Sequence, residues 1–122
     1  MERKARENLE AARLLLEGDD PCTNSSMSRA YYAAYHACWV AMVAADHPVP
    51  MERGVRYFRH NTLYQEACDA GVIDDQESGN LHYLYNQRIK ADYHEDDVTL
   101  EEAQEALKVS EALVSRLLEE QP

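Results

Sequence analysis

Thirteen consecutive residues, Ala30 to Met42, read Ala-Tyr-Tyr-Ala-Ala-Tyr-His-Ala-Cys-Trp-Val-Ala-Met without one Asp, Glu, Lys or Arg. A helix made from them is apolar nearly all round, so other elements have to surround it. A bilayer is a poor candidate for that role. The longest apolar run, Ala37 to Ala45, has nine residues, and a span takes ~20. The surrounding elements are therefore expected from the chain itself. Only four glycines and four prolines punctuate 122 residues. So few breakers favour long helices over a many-turned sandwich or barrel.

The rest of the chain reads as helices of that kind. Ala5, Leu9, Ala12 and Leu16 recur at helical spacing, which predicts a first helix over Glu2 to Glu17, closed by Gly18-Asp19-Asp20-Pro21. The central helix is expected from about Asn24, with Asn24, Ser25 and Ser26 as candidate caps, to about Asp46. His47-Pro48-Val49-Pro50 is a break. A third helix is expected over roughly Arg53 to Ala70, with Gly71 as its stop. Asp74 and Glu77 form a capping box for a fourth, whose inner face carries Leu81, Leu84, Tyr85 and Arg88. Thr99 and Glu102 do the same for a fifth. There Leu100, Ala103, Leu107, Ser110, Val114 and Leu117 make an apolar stripe, with Ala106 and Leu113 beside it. The fold class that follows is all-α, an up-down bundle of four to five helices. One domain over 1–122 is expected, large enough to need no staple.

Charge and cysteines narrow the function. Acidic residues outnumber basic ones 23 to 12, a formal net charge of −11. A protein that coats nucleic acid generally is disfavoured, although a local basic site can still attract phosphate. Nine of the 12 basic residues are arginine, the better fork for phosphate. Cys22, Cys38 and Cys68 are odd in number and form no C-x-x-C pair, which suits reduced thiols and a cytoplasmic setting. Met1 to Glu7 has no apolar stretch of the signal-peptide kind.

Several chemistries lack their motifs. The chain has no G-x-G-x-x-G, no P-loop, no G-x-S-x-G and no H-E-x-x-H. No Glu is followed by His three residues later, as a di-iron bundle requires. His36, His47, His60, His82 and His94 never pair at i+3 or i+4. The acidic cluster Asp92, Glu95, Asp96 and Asp97 reads as a solvated helix end rather than a cation site. No metal and no cofactor are expected.

Two segments stand apart. One is Ser28-Arg29-Ala30-Tyr31-Tyr32-Ala33-Ala34-Tyr35-His36-Ala37; the other is Arg88-Ile89-Lys90-Ala91-Asp92-Tyr93-His94. In this order and at this separation they resemble the HEPN family (higher eukaryotes and prokaryotes nucleotide-binding domain), and within it the small stand-alone prokaryotic members. The resemblance runs from about Glu7 to Glu120. It implies a bundle of four or five helices that forms a homodimer. It also implies, for many members, a metal-independent endoribonuclease of toxin type. Such members carry an R-x(4–6)-H motif, and two copies meet at a dimer cleft. A minimal nucleotidyltransferase is the expected antitoxin partner. Arg88 and His94, with five residues between them, fit the motif.

The residue types suit that chemistry. Histidine titrates near neutrality and can move protons, while arginine stays charged and binds phosphate through two N–H groups. Candidate catalytic residues are thus Arg88 and His94. Six helical positions turn through about 600°, a net of about 240°. Either the helix ends or bends near Tyr93, or the two residues cooperate across the dimer. Asp92 does share the face of Arg88, so an Arg88–Asp92 ion pair holding a helix end or a dimer interface is the competing structural role. Arg29, Tyr32 and His36 share a face of the central helix, as a phosphate subsite or as a buried polar network. Lys90, Asp92 and Tyr93 complete the candidate substrate-binding set. Tyr31, Tyr32 and Tyr35 can stack on bases or fill the core. Arg53, Arg56, Arg59 and His60 form the densest basic run. Two other functions fit the same chain. One is a non-catalytic nucleotide- or partner-binding module that works with a nucleotidyltransferase. The other is an acidic helical adaptor.

Overall fold

The computed structural model describes residues 1–119, so the last three residues of the expected 1–122 domain, Glu120 among them, lie outside the described part. Helix α1 spans Glu2–Leu14, α2 Thr23–Ala44, α3 Leu63–Asp69, α4 Asp75–Tyr93 and α5 Leu100–Glu119. The all-α class holds. The central position of the apolar helix also holds: α2 packs against α1, α4 and α5 and touches α3. Ala30, Ala33, Ala34 and Ala37 on α2 are fully buried. Such small side chains let the neighbouring backbones come close. Ser26 Oγ donates to Ala12 O of α1, and Ser110 Oγ of α5 donates to Ala30 O, both at 2.7 Å. Each bond satisfies a buried hydroxyl that would otherwise cost about 1–3 kcal/mol.

Both capping boxes are formed. Asp74 Oδ1 accepts from Glu77 N at 2.8 Å, and Glu77 Oε1 accepts from Asp74 N at 3.0 Å. Thr99 and Glu102 exchange the same two bonds. Gly71, at φ 75°, closes α3. The Val72 N–H reaches Ala67 O and the Gly71 N–H reaches Cys68 O, a Schellman ending. Helix α2 ends the same way with Asp46 at φ 64° in the position glycine usually fills.

Four expectations are corrected. Helix α1 stops at Leu14 rather than Glu17. Helix α2 starts one residue before Asn24, and none of the three candidates caps it. Ser26 is spent on Ala12, and Asn24 Oδ1 accepts from Val98 N at 2.8 Å, which ties the approach of α5 to α2. Leu100 lies exposed at the first turn of α5, outside the buried stripe. The largest correction is the third helix. Residues 53–62 form no helix; Met51–Glu52 (β1) pairs antiparallel with Val55–Arg56 (β2). The connecting residues Arg53 and Gly54 have φ of 51° and 81°. Positive φ at both central positions is the type I′ hairpin turn, which matches strand twist and needs a permissive second residue. An extended loop then runs to α3, pinned by Phe58, which is 1% exposed.

Candidate functional site

Arg88 comes from α4 and its side chain is only 10% exposed. Three rings hold the guanidinium. Its Cζ lies 5.3 Å from the centre of Tyr31, 5.7 Å from Tyr32 and 5.7 Å from Tyr85. Tyr31 and Tyr32 are supplied by α2; Tyr85 stands one turn before Arg88 on its own helix. These rings present π faces to a charge that burial would otherwise penalise. The ion pair expected from the spacing is present but long, Nη1 to Asp92 Oδ2 at 3.4 Å. The Nε–H is buried and has no hydrogen-bond partner. Asp92 is held from its other side by Ser28 of α2, whose hydroxyl donates to Oδ1.

The Arg29, Tyr32 and His36 face is assembled as a polar network with α1. Arg29 Nη1 donates to Asn8 Oδ1 at 3.1 Å. The same amide's Nδ2 lies 3.4 Å from His36 Nδ1. Tyr32 stacks on His36 with ring centres 6.3 Å apart. Burial, with Lys4 and the amino terminus as further causes, pushes the His36 pKa down to about 4. Asn8 is the residue that sequence reasoning missed. It sits among charged residues on α1, and only the packing of α1 on α2 shows its role.

His36 gives a pH prediction. An unfolded histidine titrates near 6.5, so between there and about 4 the unfolded chain takes up a proton that the folded chain refuses. The stability tied to neutral His36 is present above 6.5 and is lost as pH falls through this window. The melting temperature of the wild type is therefore expected to drop more steeply from pH 7 to pH 4 than that of His36→Gln. Parallel curves would show that His36 is not linked to folding.

The second candidate catalytic residue lies elsewhere on the same helix end. Helix α4 ends at Tyr93, and His94 follows with extended backbone, φ −90° and ψ 152°. Its N–H bonds Lys90 O, and its side chain is exposed. The helix end near Tyr93 is thus one of the two arrangements that the spacing of Arg88 and His94 allowed. Tyr93 itself is 72% exposed. Lys90 reaches α5 instead, donating to Glu102 Oε1 and Oε2 at 3.2 and 3.0 Å. Ser28, Arg29, Tyr32, Asp92 and Tyr93 line an open cleft of about 570 Å³. Most of the substrate-binding set therefore meets in one place; Lys90 and His36 are outside its wall. Tyr31 and Tyr35 are buried, as a core role requires, and Tyr32 is half-buried. Burial pushes the Tyr35 hydroxyl up to about 12, and its proton goes to Phe58 O at 2.6 Å. Cys22, Cys38 and Cys68 are unpaired thiols. Among the described residues no helix is long and apolar enough to cross a membrane.

Fold and site together define a class: small helical bundles in which an aromatic central helix clasps a buried arginine from the penultimate helix. The chain belongs to the HEPN domain family, whose model matches residues 2–121. It is also 31% identical over 113 residues to a protein of Methanocaldococcus jannaschii named "Putative toxin MJ0605". That match covers 93% of this chain and 80% of the relative.

Proposed function

We propose that this HEPN protein is a metal-independent endoribonuclease of toxin type. It works as a homodimer, with the two Arg88–His94 pairs at one cleft and a minimal nucleotidyltransferase as its antitoxin. The observation that carries the reading is the Arg88 guanidinium. It is buried, held by three rings, and has one N–H unpaired. A charge so placed is preorganised for an anion and gains strength from its low-dielectric surroundings. Arg88 stabilises the charge that develops on phosphate. His94, exposed at the end of the helix, transfers a proton. The toxin named among its relatives supports the biological setting.

The test is RNA cleavage by purified protein in excess EDTA, with His94→Ala beside it. Wild type is expected to leave 2′,3′-cyclic phosphate ends. The variant is expected to lose ~10²–10⁴-fold in rate, the usual worth of a general acid or base. Full activity in His94→Ala removes that residue from the mechanism. The Arg88–Asp92 pair favours a second reading, a binding module in which the pair only closes the helix end. No cleavage by wild type across varied RNAs selects that module.

A further inference from the structure

Metal-free RNA cleavage needs two proton transfers, one from the ribose 2′-hydroxyl and one to the leaving 5′-oxygen. A second histidine, His60, stands 28 residues before Arg88 in sequence and lines a separate cleft. We propose that His60 is the general base of the reaction, delivered to Arg88 by the loop that follows the hairpin; this rests on the ribonuclease reading.

Three observations place it there. Tyr31 touches both residues. Its ring carries the Arg88 guanidinium at 5.3 Å, and its hydroxyl shares a 2.7 Å hydrogen bond with His60 Nδ1. Tyr35 stacks on the imidazole at 4.2 Å between ring centres, and its own hydroxyl is fixed to Phe58 O two residues away. The ring is therefore held in plane and in rotation. Finally, His60 lines an open cleft of about 730 Å³. Tyr85, one of the three rings around Arg88, lines the same cleft. Arg53 and Arg59 stand there against one acid, Glu52, whose carboxylate accepts from both Arg59 and Tyr57. On a chain of net charge −11 this is a wall suited to phosphate.

The step balances as follows. With its proton on Nδ1, His60 donates to the Tyr31 oxygen and keeps a lone pair on Nε2. Nε2 takes the 2′-hydroxyl proton as O2′ bonds phosphorus. The P–O5′ bond breaks, and the acid of the proposed pair, His94, protonates O5′. The products are a 2′,3′-cyclic phosphate and a 5′-hydroxyl. Burial and the neighbouring Arg88 charge lower the His60 pKa, which keeps the base neutral at pH 7.

The test compares wild type with His60→Asn, which preserves a donor toward Tyr31. Cleavage is expected to fall at least ~10²-fold with unchanged melting temperature and unchanged affinity for a 2′-deoxy analogue of the RNA. The rising acidic limb of the wild-type pH–rate profile is expected to vanish with it. The groups facing His60 are Tyr31, Tyr32, Tyr35 and His36 on α2, Tyr85 and Arg88 on α4, and Glu52, Arg53 and Arg59 beside it. Among them His36 sits near 4 and Glu52 is held low by Arg59, so an acidic limb that disappears in His60→Asn reports His60. A second variant, His60→Gly, is expected to recover activity with added imidazole. Cleavage within ~3-fold of wild type in His60→Asn overturns the proposal and leaves the ribonuclease intact. Wild type that never cleaves RNA overturns both. If His60→Asn melts early, the wild type decides by NMR: an unmoved His60 ring signal on binding the 2′-deoxy analogue overturns the proposal, and a shifted one supports it.

Discussion

Arg88→Met is expected to lower RNA cleavage by ~10²–10³-fold while the protein stays folded. Methionine keeps a long apolar stem among Tyr31, Tyr32 and Tyr85 and removes only the charge. The stability cost is small for three reasons. Cation–π contacts contribute about 0.5–2 kcal/mol together with their desolvation. The pair with Asp92 is long, and Asp92 is 32% exposed, so its worth lies in the range of about 0–1 kcal/mol. The variant also removes a buried N–H that has no partner. Arg88→Lys is expected to recover little, because an ammonium offers no planar fork and is more strongly hydrated. The readout is kcat/KM against the melting curve. A fall in stability with cleavage within ~3-fold of wild type would assign Arg88 to the helix-end ion pair and to nothing else.

The same residue shows what the sequence could and could not disclose. Arg88 was legible because R-x-x-A-D-Y-H is local: the i+4 spacing to Asp92 and the helix end before His94 both depend on a few neighbouring residues. The capping boxes at Asp74 and Thr99 were legible for the same reason. Two of the three rings that hold Arg88, Tyr31 and Tyr32, come from more than 50 positions away on α2. Their excess of tyrosine was visible, but not their target. Asn8 was hidden, since an asparagine on a charged helix carries no pattern until α2 packs against it. The failure over 53–62 has a definite cause. Basic and apolar residues there match a helical period, yet Arg53-Gly54 is a two-residue turn that needs positive φ twice. Turn chemistry overrode periodicity, and the loop it created carries His60 to the site. A helix over this stretch would have placed His60 by its helical face instead.

That loop is part of the core, which leads to the second large effect. Phe58→Ala is expected to destabilise the protein by about 3–5 kcal/mol, the usual range for emptying a buried aromatic site. For a chain of this size the melting temperature should fall by roughly 10–20 °C. Phe58 is 1% exposed and meets the edge of Trp39 at 5.4 Å and 87°. Its carbonyl accepts the buried Tyr35 hydroxyl, so its backbone and its ring are both fixed to α2. Val55→Ala, on the exposed hairpin, is the control and should stay within about 0.5 kcal/mol. Amide exchange should separate a local from a global effect. If the ring anchors the loop, residues 57–62 lose protection before α2 and α5 do. Cleavage should then fall even where the bundle remains folded, because His60 hangs two residues beyond the anchor and its stacking on Tyr35 depends on it. A loss below about 1 kcal/mol with unchanged exchange in the loop would mean that the hairpin segment is held by other contacts, and that Phe58 merely covers Trp39.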